Sequence, residues 1–149
     1  MGKIQTVLGT IDPNELGLTL VHEHIMCDFI GASKVSKDRY DPDEVFRVML
    51  PYMMEIRQLG VRGFVDCTPM YLGRDVEVLA RIAKATGIHI LTNTGLYKEP
   101  FLPSYTWEYS VDRLANMWTA EIKGGIEGTQ VRAGFIKIAV NPGPLIPIQ

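Results

Sequence analysis

Arg62-Gly63-Phe64-Val65-Asp66-Cys67-Thr68, followed by Asp75-Val76-Glu77-Val78-Leu79-Ala80-Arg81-Ile82-Ala83-Lys84-Ala85-Thr86-Gly87 and then Ile88-His89-Ile90-Leu91-Thr92-Asn93, decides the fold class. The first and last segments are short and nearly continuously apolar, which suits strands buried on both faces. The middle segment places Val76, Leu79, Ile82 and Ala83 on one side of a helix that Gly87 ends. Strand, covering helix, strand is the unit of a parallel sheet.

The same alternation extends in both directions. Upstream, Asp41 is placed to cap a helix with Pro42 at its first position, and Val45, Val48, Met49, Tyr52, Ile56 and Leu59 recur at helical spacing before Gly60. Pro51 inside that run predicts a kink or break. Residues 3–9 alternate weakly, Asp12-Pro13-Asn14 is a turn signal, and Gly17–Ile25 reads as a strand, so a hairpin between the two is expected to lead into the sheet. Downstream, Gly95–Tyr109 carries Tyr97, Phe101, Tyr105, Trp107 and Tyr109. Ser110 then caps a helix through Leu114, Met117, Trp118 and Ile122 that ends at Gly124-Gly125, and Ala133–Val140 is the last clear strand.

Composition excludes several classes. With 149 residues, 46% hydrophobic and 21% charged, the chain can bury a core. A net charge of -2 gives no basic footprint for nucleic acid. No apolar run approaches the roughly 18 residues of a membrane helix, and the N-terminus lacks a secretory layout. Cys27 and Cys67 fit neither a disulfide framework nor a paired-cysteine zinc site and are expected to be core thiols. A cytoplasmic location is the expectation. There is no GxxxxGK[ST] loop and no GxSxG elbow, and Gly124-Gly125-Ile126-Glu127-Gly128 precedes a strand, the wrong order for a dinucleotide fingerprint.

Two features carry chemistry. His22 and His24, two apart at a strand's carboxyl end, project to one side, and imidazoles on rigid backbone suit zinc or a similar ion. The plainer reading is an unrelated polar pair. Glu23 points to the other face, where an ion pair or a helix cap suits it better. Lys137 lies inside Gly134-Phe135-Ile136-Lys137-Ile138-Ala139-Val140, and an ammonium within a sheet strand is costly unless it snorkels, pairs or reacts.

His22-Glu23-His24, Gly73-Arg74-Asp75, Asn93-Thr94-Gly95-Leu96-Tyr97 and Arg132-Ala133-Gly134-Phe135-Ile136-Lys137, in this order, resemble the phosphotriesterase family of the amidohydrolase superfamily, which includes phosphotriesterase-like lactonases. The resemblance covers essentially all of the chain. It implies a (β/α)8 TIM barrel, present here over residues 1–149 as an N-terminal half of about four strand–helix units. It further implies a site of two divalent metals, zinc being expected. His22 and His24 would be ligands, and Lys137 would be carboxylated to a bridging carbamate. A metal-bridging hydroxide would be the nucleophile toward a small ester, lactone or phosphotriester substrate. Tyr97 would line the substrate pocket, and a tyrosine there leans toward the lactonase branch.

A whole barrel of this kind needs about 250 residues. The family's further ligands, two histidines and an aspartate, belong to later strands, so this chain is expected to be a fragment, inactive alone. It would need the missing C-terminal half or another copy of itself, since half a barrel leaves sheet edges and an apolar inner face uncovered. No catalytic residue beyond the metal ligands is expected here. The alternative is a catalytically dead half-barrel acting as a structural or oligomerising unit. A third reading is a self-standing open α/β domain.

Overall fold

The computed structural model describes residues 2–145 and 147. Among these residues, seven strands and three α-helices follow one another as β1 (Ile4–Thr6), β2 (Gly9–Ile11), β3 (Thr19–Glu23), α1 (Pro42–Gln58), β4 (Gly63–Asp66), α2 (Val76–Thr86), β5 (His89–Leu91), β6 (Asn93–Gly95), α3 (Val111–Lys123) and β7 (Phe135–Lys137). β3, β4 and β5 form one parallel sheet in that order, and β6 and β7 pair in parallel in a second. The expected mixed α/β alternation with parallel strands is therefore present.

Local chemistry starts and stops the helices as expected. The Asp41 carboxylate accepts the Asp43 N–H at 2.8 Å, with Pro42 opening α1. The Asp75 carboxylate accepts from Glu77 and Val78 at 3.0 and 3.1 Å, and Gly87 closes α2 in the left-handed region at φ 69°. Ser110 caps α3 by accepting the Arg113 N–H at 3.3 Å. Pro51 does not break α1, which runs through it. Its missing donor would have faced the Arg47 carbonyl, and both residues are exposed, on a side of the helix where solvent can satisfy the orphaned group.

The N-terminal pairing differs from expectation. The hairpin forms between β1 and β2, antiparallel, with Thr6 opposite Gly9, while Gly17–Ile25 contributes β3 to the parallel sheet instead. Val7 sits in the turn because its side chain is buried in the core and its N–H donates to the Ile90 carbonyl at 2.8 Å. The expected strand 88–93 is likewise two pieces. β5 pairs with β4, the ladder breaks at Thr92, and β6 then pairs with β7, so the chain changes neighbours in mid-run. The Thr92 carbonyl still accepts the Gly134 N–H at 2.8 Å. The last strand is shorter than expected, Phe135–Lys137.

The core lies between the sheet and α1 and α2, built on Val76, Leu79, Ile82, Ile88, Ile90 and Met53. Apolar side chains of the strands and their continuations remain uncovered, among them Val21 at 72%, Ile136 at 51% and Ile138 at 59% exposed. That is the uncovered apolar surface expected of a partial barrel. No described helix is long and apolar enough to cross a membrane.

Candidate metal centre

β3 and β7 lie far apart in sequence, yet their carboxyl ends meet. Lys137 Nζ stands 3.4 Å from His22 Nε2, and the rings of His22 and His24 are 5.5 Å apart between centroids. The structure thus brings together all three nitrogen-bearing side chains singled out from the sequence. Lys137 is half-buried rather than sealed in the sheet, so its amine opens onto the space shared with the two imidazoles.

A bulge in β3 aims the histidines. Leu20 pairs with Phe64 and Glu23 with Asp66, so three steps on β3 match two on β4 and one extra residue is accommodated at Val21–His22. Bulges bend a strand and redirect its side chains, and they recur beside active sites. Glu23 takes no part: among the described residues it makes no ion pair and no cap, against expectation, and its backbone carbonyl accepts the Cys67 N–H at 2.8 Å.

The position of Lys137 depends on a glycine. Gly95 pairs with Lys137 across β6 and β7 at φ 102°. A Cβ there would collide with the Lys137 carbonyl oxygen, so only glycine lets the two backbones approach this closely. The motif Asn93-Thr94-Gly95 was visible in the sequence; its steric role required the pairing.

Beneath the histidines lies a buried polar bracket that the sequence reading missed. Asp66, at the end of β4, accepts the Ile25 N–H at 2.9 Å and the Thr68 N–H at 2.9 Å. Asn93 Nδ2 donates to the carbonyls of Asp66 at 3.1 Å and Thr68 at 3.0 Å. Burial pushes the Asp66 carboxyl above its ordinary range, against the pull of those two N–H donors. His24 is pushed below the ordinary imidazole range, first by partial burial; Asp66 opposes this, and His22 and Lys137 add to it. A lowered pKa favours the neutral imidazole that a metal needs. The available signal was Asp66, a carboxylate at the end of an apolar strand.

Cys67 is buried as expected, but Cys27 is exposed and is no core thiol. It follows Ile25 and Met26 off the end of β3, where the chain leaves the sheet. Tyr97, two residues beyond β6, packs edge-on against Phe29 at 6.2 Å and tilted against Phe101 at 6.0 Å. It also borders an apolar cavity of about 220 Å³ with Leu102, Trp118, Ile138 and Val140. The residues immediately after Lys137 therefore line the same cavity as Tyr97.

Among the described residues, no three or more His, Cys, Asp or Glu side chains gather into a complete metal cage. The donor set present is two imidazoles and one amine. The imidazoles suit a borderline ion such as zinc. A lysine ammonium has no lone pair, so Lys137 fits only after chemical conversion. The residues present fit part of a metal site.

Comparison with known proteins bears on the family of the chain. The model of the phosphotriesterase family matches residues 2–149. The chain is 38% identical over 135 residues to an aryldialkylphosphatase of Saccharolobus solfataricus, covering 90% of this chain and 43% of that protein. It is 31% identical over 141 residues to a phosphotriesterase homology protein of Escherichia coli, covering 94% and 47%. Among solved structures it is similar to the organophosphorus hydrolase from Deinococcus radiodurans, with a TM-score of 0.87, 29% identity, and coverage of 98% of this chain and 46% of that one. The chain spans about half the length of the relatives it matches.

Proposed function

The chain belongs to the phosphotriesterase family, and from that premise we propose that it supplies the first side of the metal site of a hydrolase acting on ester-type bonds. One observation carries the reading: His22, His24 and Lys137 converge at the carboxyl ends of β3 and β7. Divalent cations held there, two in the complete site and zinc by the donor chemistry, would polarise a carbonyl or phosphoryl oxygen and acidify a water.

The chain's own residues have definable parts. His22 and His24 present imidazole nitrogen from a rigid strand end. The Lys137 ammonium, after giving one proton to solvent, would add through Nζ to carbon dioxide and release a second proton. The anionic oxygens of the resulting carbamate could serve as ligands where the ammonium cannot. Two cations bound beside it would offset its charge. Tyr97 and the apolar cavity beside it accept the apolar portion of a small ester, and a tyrosine at this place favours a lactone over a phosphotriester. The remaining ligands come from a C-terminal half or from a second copy, and the chain alone is inactive.

The test is zinc uptake of the purified chain by elemental analysis, together with its mass in solution. The reading expects bound zinc that falls sharply in both His22→Ala and His24→Ala. A zinc-free chain that forms a stable oligomer through its exposed edges would support the structural half-barrel instead.

A further inference from the structure

Resting on the assignment of His24 as a ligand, we propose that Thr68 is the positioning residue that fixes the tautomer and pose of His24. Thr68 Oγ1 lies 2.9 Å from His24 Nδ1 and 3.1 Å from the Met26 carbonyl oxygen. A carbonyl can only accept, and a hydroxyl has a single proton. For both contacts to be hydrogen bonds, the Thr68 proton goes to Met26 and an oxygen lone pair faces His24. His24 must then supply the proton on Nδ1, which leaves Nε2 bare and directed away from the bracket. Tautomer selection by the partner of the second ring nitrogen is how ligating histidines are prepared.

Thr68 is suited to this because it is buried and hydrogen-bonded at both backbone groups. It is 2% exposed, with Asp66 at 1% and Asn93 at 0%. Its N–H is committed to Asp66 and its carbonyl to Asn93, while the other Asp66 oxygen grips Ile25, the residue next to His24. Strand ends β3, β4 and β6 thus meet in one buried polar bracket, and His24 is held both by its ring and through its neighbour's backbone. His22 has no such bracket. Among the described residues its ring-nitrogen hydrogen-bond partner is Lys137. The two histidines of one motif are therefore unequally prepared, with His24 set by the fold and His22 left to adjust.

The test reads the tautomer directly, by long-range proton–nitrogen correlation spectroscopy of the metal-free 149-residue chain at mildly alkaline pH. The expected result is His24 protonated at Nδ1, a preference lost in Thr68→Val, regained in Thr68→Ser, with the His22 signals unmoved. His24 protonated at Nε2 in the unaltered chain would overturn the proposal, as would an unchanged tautomer in Thr68→Val. The unaltered chain alone decides the first point, whether or not the valine variant folds. No metal is present, so the outcome is separate from whether zinc binds.

Discussion

Helices α2 and α3 have similar length, and each opens on a side-chain cap, yet their fates in the fold are opposite. In α2, Val76, Val78, Leu79, Ile82, Ala83 and Thr86 are buried; in α3 no residue is. The sequence of each is amphipathic, with Leu114, Met117, Trp118 and Ile122 marking the apolar side of α3. What differs is the surroundings. α2 packs on β5 with α1 alongside, whereas α3 lies against β6 at the margin of the described structure. An apolar helix face becomes core only when there are neighbours on both sides of it. The contrast separates a finished interior around β4, α2 and β5 from an unfinished flank around α3 and β7, and the candidate metal centre lies where β3 and β7 approach each other.

Substitutions probe that contrast. Ile82→Ala, in the finished interior, is expected to cost about 2–5 kcal/mol in denaturant unfolding, whereas Val111→Ala, at a residue 82% exposed in α3, should stay within about 0.5 kcal/mol. Similar costs at the two positions would break the comparison. Glu121→Ala sharpens it. Glu121 on α3 holds the Arg74 guanidinium with two bonds of 2.8 and 2.9 Å, and the Arg74 side chain is wholly buried. Removing that carboxylate leaves Arg74 with the Asn93 carbonyl at 2.8 Å and Glu127 at 3.2 Å, at a cost of about 3 kcal/mol. A large effect would show α3 anchored by this ion pair rather than by its apolar face.

The smallest effect concerns pH. The Arg39 guanidinium, donating to Asp28 at 2.6 Å, holds that exposed carboxyl below its ordinary range. A carboxyl lowered on folding adds stability above the usual value near about 4 and loses it as pH falls through the lowered one. Asp28→Asn should therefore lower Tm slightly at neutral pH, leave it unchanged at strongly acid pH, and so slightly flatten the acid limb of Tm against pH. A marked loss at neutral pH would contradict this.

Much of this was legible because it was local. Caps at Asp41, Asp75 and Ser110, the stop at Gly87 and the His-x-His pair all depend on residues a few positions apart. The features that escaped are set by partners far along the chain. The hairpin turn at Val7 reads as strand because an apolar residue there plugs the core. The β3 bulge and the change of neighbours at Thr92 exist only as mismatches between paired strands. Pro51 leaves α1 unbroken because a helix side facing water tolerates a lost donor. Thr68 was invisible as a positioning residue because its partners His24, Met26 and Asn93 lie in other segments.

The most direct measurement is anomalous diffraction at the zinc edge from crystals of the chain soaked in zinc. A peak about 2.0–2.1 Å from imidazole nitrogens of both His22 and His24, on the side facing Lys137, is the predicted result. Zinc bound elsewhere, or imidazoles turned away from Lys137 with no peak between them, would contradict it.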